Sequence, residues 1–289
     1  MSVSIISACK NRNKPLAMSM ASWMQFDEVD EIIVTNWNSD ESIDHLTILS
    51  EKIKIINVKN EPYFNQPQPL NLVASLVKNE NLLKLDCDHI LNPYFNFFDI
   101  HKITEKSFVS GSNNLLEGMD FHFLHSLWGL LYVKTETFRK VGGYNENNGK
   151  YYAVEDDELA VRLISYGLDP ILIDIQKCSA LHIPHTDQDR VKNFESFNSI
   201  TKILSEFGKD LVGDDLYKYI AKLSKDKNHN VYPISSRMTQ VLNLEPKENP
   251  DEEINVDWYS EPIYKWEVIQ ISDQLYELSK YEYFDNICL

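Results

Sequence analysis

The sequence predicts an α/β protein built on a mostly parallel sheet. Three observations lead there. Short apolar runs alternate with helical patterns through residues 1–100, each connection between them is brief, and an acidic Asp86-Cys87-Asp88 closes the fourth run.

Ser4 to Ser7 and Glu31 to Thr35 read as strands, and Leu16, Met20 and Trp23 line a helix between them at i, i+4, i+7. Ile53 to Val58 is a third strand, a helix runs from about Gln68 to Lys78, and Asn81 to Leu85 is a fourth strand. After Pro93 the rhythm changes. His122 to Val133 is mixed and ends in the apolar Leu130-Leu131-Tyr132-Val133. Lys134 to Val141 is a short helix closed by Gly142 and Gly143, where a left-handed cap sits. Beyond the polar loop Asn145 to Lys150, Glu155 to Tyr166 is a helix stopped by Gly167. Strands follow at Pro170 to Ile175 and near Cys178 to Ile183.

Asn193 to Phe207 is amphipathic, with Phe194, Phe197, Ile200, Leu204 and Phe207 on one stripe. Past the linker Ser224 to His229 and an acidic stretch, Tyr264, Val268, Ile271, Leu275 and Leu278 predict a last helix. That helix is too short to stand alone in water, so it is expected to pack on the rest of the chain or on a second copy of it. The division is therefore 1–100, 101–210, and a helical C-terminal extension at 211–289.

Composition narrows the classes. Apolar residues make up 43% and charged residues 25%, as in ordinary soluble globular proteins. No apolar run approaches the roughly 20 residues of a membrane span. The opening MSVSIISACKNRNK lacks the basic-then-apolar layout of a secretory signal. Cys9, Cys87, Cys178 and Cys288 are far apart without zinc spacing, so reduced thiols and a cytoplasmic location are expected. A formal net charge of −16 argues against a nucleic-acid surface. It leaves room for one small nucleotide, whose diphosphate a divalent ion and a few local cations can neutralise.

Four features carry chemistry. Asp86 and Asp88, two apart at a strand end, are expected to face one hard divalent ion at the sheet's C-terminal edge. A chance pair in an acidic protein is the bland reading. Glu155-Asp156-Asp157-Glu158 opens a helix, where acids are stabilised by the dipole. Four in a row exceeds that need, and one of them is placed to accept a proton from a bound hydroxyl. His182 and His185 flank Pro184, which breaks the strand so that both can reach an ion begun at Asp88. Cys9-Lys10-Asn11-Arg12 offers cations to a phosphate or ribose, without the glycines of a Walker or dinucleotide loop.

In this order the features resemble the GT-A-fold glycosyltransferases, closest to the beta-1,4-galactosyltransferases and related bacterial chain-extending enzymes. The likeness covers residues 2 to 190. Cys9-Lys10-Asn11-Arg12 stands where that family has Phe-Arg-Asn-Arg, and Asn36-Trp37-Asn38-Ser39-Asp40 resembles its base-contacting segment. Tyr152 to Asp157 replaces Trp-Gly-Gly-Glu-Asp-Asp, and His182-Ile183-Pro184-His185 replaces Met-x-x-His. Trp128 stands for the first glycine of a Gly-Gly stretch that Gly129 completes. Phe138 to Tyr144 resembles the approach to the acceptor loop.

The resemblance implies an inverting transfer from a nucleotide-sugar, taken as UDP-linked, to a glycan or other hydroxyl acceptor. Asp156 would be the base. Asp86, Asp88, His185 and His182 would hold Mn²⁺ (or Mg²⁺). Ala8, Lys10, Arg12, Asn36, Asp40 and Asp86 would bind the nucleotide, and Trp128, Gly129, Tyr152, Glu155 and Asp157 the sugars. Residues 1–100 would be the donor half and 101–210 the acceptor half. A sugar-nucleotide nucleotidyltransferase and a non-catalytic carbohydrate-binding protein remain as rivals.

Overall fold

The computed structural model describes residues 2–61, 63–64, 66–111, 127–144, 146, 155–173, 177–185, 264–270, 272 and 274–282. In chain order the donor-side elements are β1 (Val3–Cys9), α1 (Asn13–Trp23), β2 (Val29–Trp37), a 3-10 turn (Asp44–Leu49), β3 (Ile53–Lys59), α2 (Pro67–Ser75) and β4 (Asn81–Lys84). Then come β5 (His89–Leu91), α3 (Phe97–Ile100), β6 (Ser107–Ser110), β7 (Leu131–Lys134) and α4 (Thr135–Lys140). The series ends with α5 (Glu155–Ser165), β8 (Asp169–Leu172), β9 (Ala180–His182), β10 (Tyr264–Gln270) and β11 (Leu275–Glu282).

Among the described residues one sheet runs β10-β11-β3-β2-β1-β4-β7-β6-β8, and β5-β9 form a separate antiparallel ribbon. β3, β2, β1 and β4 are mutually parallel, while β7 enters antiparallel between β4 and β6. The central strands are apolar nearly throughout because both faces are covered. Val3, Ile5 and Cys9 pack with Leu16, Met20 and Trp23 of α1 on one face. Ile6 turns to the other face, to meet Leu70, Val73 and Ala74 of α2. β4 alternates likewise, with Leu83 on the α1 face and Leu82 on the α2 face.

The breaks fall where the glycines stand. Gly142, Gly143 and Gly167 have φ of +84, +63 and +102°, so the α4 and α5 ends sit in backbone regions a side chain disfavours. At Gly143 an added Cβ would also meet Asn71 Oδ1 at 2.6 Å.

The C-terminal extension is not helical where it is described. Tyr264–Gln270 and Leu275–Glu282 form an antiparallel hairpin, and β11 runs parallel to β3 at its outer edge. The four-three spacing of apolar residues coexists with an alternation of Tyr264, Trp266 and Val268. Aromatic and β-branched residues at period two favour a strand when an unpaired sheet edge offers hydrogen bonds. Gln274 anchors the turn, giving its side-chain amide to the carbonyls of Ser50 (2.8 Å) and Ile53 (2.9 Å). The contact expected through a C-terminal helix is thus a strand docked on this chain's own sheet. The expected helix Asn193 to Phe207 and the linker Ser224 to His229 lie outside the described residues. No helix among the described residues is long and apolar enough to cross a membrane.

Candidate active site

The functional side chains gather at the C-terminal ends of the parallel strands, where open α/β sheets bind ligands. β4 stops at Lys84, and a turn closed by His89 N–H to Asp86 C=O (3.0 Å) follows. This turn corrects one expectation. Asp86 and Asp88 do not sit on a strand, so alternation does not aim them together.

Asp88 turns toward residues from two distant segments. Its Oδ2 accepts from Arg12 Nη2 at 2.8 Å and lies 3.3 Å from His185 Nε2 and 3.7 Å from His182 Nε2. The β5-β9 ribbon explains the meeting, because it pairs His89 with His182 directly. Burial works against the Asp88 carboxylate, but His182, His89 and Arg12 overcome it and hold its pKa well below the usual range. Ligand atoms of Asp88, His182 and His185 lie within 4.8 Å of one another. One carboxylate and two imidazoles suit a divalent ion such as Mn²⁺. His182 Nδ1 is buried with no hydrogen-bond partner among the described residues, while its Nε2 faces Asp88 Oδ2 at 3.7 Å.

A second grouping of Asp86, Asp88 and His89 is equally compact, but His89 is unsuited to ligation. Its Nδ1 accepts the Asp86 N–H at 3.2 Å, and burial pushes its pKa down to about 4. A neutral ring accepting at Nδ1 carries its proton on Nε2 and has no lone pair left for an ion. His89 is a strut under the turn.

Asp86 turns instead to Lys84, whose ammonium is fully enclosed. Lys84 Nζ lies 2.9 Å from Asp86 Oδ1 and 3.1 Å from Asp156 Oδ1. Gln66 also donates to Asp86 Oδ1 at 3.2 Å, and Tyr144 Oη donates to Asp156 Oδ1 at 3.1 Å. Burial disfavours the Lys84 charge, yet Asp156 and Asp86 outweigh it and raise its pKa well above normal. Burial likewise opposes the Asp86 carboxylate, and Lys84 reverses that and lowers it. Gly129 presses on this pair, with φ +91° and an added Cβ 2.5 Å from Asp86 Oδ2 and 2.8 Å from Lys84 Nζ.

The expected nucleotide contacts divide. Lys10 is buried and gives its ammonium to the carbonyls of Trp37, Asn38 and Glu61 at 3.0–3.2 Å, stitching the loops after β2 and β3. Asn11, at φ +56°, takes the Asp40 N–H at 2.8 Å, which leaves Asp40 exposed at the loop tip. Asn36 donates to Asn57 (2.8 Å), which donates to Asp44 (2.7 Å). Ala8 is half-buried in β1 opposite Thr35. Trp128 is 50% exposed beside Gly129, an open ring at the rim. Glu155 is buried at the start of α5. Tyr152 lies outside the described residues, as does the Asp157 side chain.

Residues 118–186 match the family described as the N-terminal domain of galactosyltransferase. The chain carries a glycosyltransferase domain. The matched segment holds Gly129, Tyr144, Asp156, His182 and His185, and the Asp86–Asp88 turn precedes it. No curated sequence matches the chain. Among solved structures, a beta1,4galactosyltransferase 7 of Drosophila, in complex with xylobiose, is 14% identical at a TM-score of 0.48, covering 98% of this chain and 95% of that one. TarS of S. aureus is 13% identical at 0.49, covering 76% and 43%. A Pyrobaculum calidifontis mannosyltransferase with GDP-Man and Mn²⁺ is 13% identical at 0.45, covering 59% of this chain. The chain spans about half that enzyme's length, 54%.

Two residues of this site escaped the sequence reading, Lys84 and Tyr144. The signal for Lys84 was available. A lysine inside the apolar Leu82-Leu83-Lys84-Leu85 must find a carboxylate if the strand is buried on both faces.

Proposed function

We propose that this chain transfers a sugar from a nucleotide-sugar, UDP-linked by the resemblance, to a hydroxyl acceptor in one inverting displacement. The observation that carries the reading is the Lys84 bridge, which holds Asp156 and Asp86 within 3.1 Å of one ammonium. Acceptor attack on a nucleotide-sugar needs a proton acceptor held beside the donor site, and this bridge supplies that proximity.

Asp156 takes the proton from the acceptor hydroxyl as it attacks the anomeric carbon. Asp88, His182 and His185 would hold Mn²⁺ (or Mg²⁺), which supplies charge stabilisation to the departing diphosphate. Arg12, on Asp88, orients a diphosphate oxygen. Ala8, Asn36, Asp40 and Asp86 line the nucleotide, and Lys10 keeps the loops around it closed. Trp128 offers a ring face to a sugar, with Gly129, Tyr152, Glu155 and Asp157 around it. No glycine-rich loop follows β1, which weighs against nucleotidyl transfer.

The test is a screen of UDP-glucose, UDP-galactose, UDP-N-acetylglucosamine and UDP-N-acetylgalactosamine with saccharide acceptors, with and without Mn²⁺. Mn²⁺-dependent UDP release and a product of inverted configuration are expected. No release from any nucleotide-sugar, with folded protein and intact UDP binding, would favour a non-catalytic carbohydrate-binding protein.

A further inference from the structure

We propose that Lys84 and Tyr144 are positioning residues that fix the Asp156 carboxylate against the Asp86 turn. The inference rests on the reading of Asp156 as the base. Both groups address the same atom, with Lys84 Nζ and Tyr144 Oη each 3.1 Å from Asp156 Oδ1. Two donors converging on one oxygen fix the carboxylate's rotation as well as its place. Lys84 reaches Asp86 Oδ1 in the same geometry, so the base and the donor turn keep a set separation.

Each positioning group is itself held. Tyr144 is fully buried, its ring edge-on to Phe138 at 5.7 Å and 5.8 Å below the Lys84 ammonium. Asn71 grips its backbone from both sides, accepting the Tyr144 N–H and donating to the Tyr144 carbonyl, each at 2.8 Å. Gly143, at φ +63°, lets the chain pass close to that asparagine. Lys84 has no exposed side-chain surface. Removing its charge would leave Asp86 and Asp156 to repel each other across the gap it fills.

A displacement near 1 Å at a reacting group costs about 10²-fold in rate. The experiment measures kcat and donor KM, with whichever UDP-sugar and acceptor turn over in the screen, for Tyr144→Phe, Lys84→Met, Asp156→Asn and the double variant of Tyr144 and Asp156. Tyr144→Phe should lower kcat about tenfold, the worth of one hydrogen bond to a charged group, with donor KM within about twofold. Lys84→Met should lower kcat by about 10²-fold or more. If it does not fold, Tyr144→Phe carries the test alone, since it removes one hydroxyl and keeps the ring packing.

The double variant decides the route. Once Asp156 is asparagine, Tyr144→Phe should cost nothing further, because a positioning residue acts through its client. Equal losses from Tyr144→Phe in both backgrounds, or unchanged kcat in the single variant, overturn the positioning role alone. Near-normal transfer by Asp156→Asn overturns the base assignment itself, so the two failures are distinct.

Discussion

Gly129 is where fold and site are most tightly joined, and Gly129→Ala should damage both. Its φ of +91° costs an alanine about 1–2 kcal/mol in backbone strain. The new methyl would stand 2.5 Å from Asp86 Oδ2, where ordinary contact begins at 3.4 Å, so about 0.9 Å must be found. Asp86 cannot simply retreat. Its other oxygen is held by Lys84 at 2.9 Å and Gln66 at 3.2 Å, and Lys84 has no exposed surface into which to move. Overpacking of this kind adds about 1–3 kcal/mol.

The sum is a loss of a few kcal/mol, or roughly 5–10 °C in Tm for a chain of this size. The assay is thermal unfolding without metal, paired with calorimetry of UDP binding in Mn²⁺. Gly129→Ala should lower Tm and weaken UDP binding together, through the displaced Asp86. Trp128→Ala is the neighbouring control. Its ring is half exposed, so stability should stay within about 0.5 kcal/mol. A Gly129→Ala protein with unchanged Tm and UDP affinity would refute the close approach and the role given to Asp86.

Asp88→Ala should abolish Mn²⁺-dependent UDP binding with the fold intact, and equal wild-type UDP affinity with and without Mn²⁺ would sink the metal assignment. Asp156→Asn should lower transfer by about 10²–10⁴ with UDP binding preserved, and a product of retained configuration would contradict the mechanism. Ending the chain at Glu245 should expose the β3 edge and lower both Tm and solubility; no change in either would show that β11 contributes nothing. His89 gives a pH signature, because burial pushes its pKa down to about 4 from an unfolded value of 6.5. The unfolded chain therefore binds that proton first as pH falls, and stability drops between these values, by about 2 kcal/mol at pH 5. Urea titrations of metal-free protein should show this drop in wild type and not in His89→Gln.

The donor-side fold was legible because its elements are local. β1, β2, β3 and α1 lie within a few residues of their expected bounds, since an apolar run buried on both faces and a stripe at i, i+4, i+7 are properties of short windows. β10 and β11 were misread for the opposite reason. Their apolar spacing fits two periods, and the choice was made by the open edge of β3, more than two hundred residues earlier in the chain. β5 was also missed, since three residues paired to a strand some ninety positions later leave no local pattern.

The site divides in the same way. Asp88, His182 and His185 were identifiable as residue types, yet what joins them is the β5-β9 ribbon, a long-range pairing with no periodicity to announce it. The expectation that strand alternation aims Asp86 and Asp88 together failed because β4 ends at Lys84, although the turn still leaves their carboxylates within 4.8 Å of each other. The following turn sends Asp86 to Lys84 and Asp88 to Arg12 and the histidines. A carboxylate pair two residues apart thus serves two neighbourhoods, one joined to the proposed base and the other built from metal-ligating types. That division accounts for the lysine in an otherwise apolar strand. With Asp156 and Asp86 brought within hydrogen-bonding reach of one buried point, an ammonium there is the least costly way to keep both ionised.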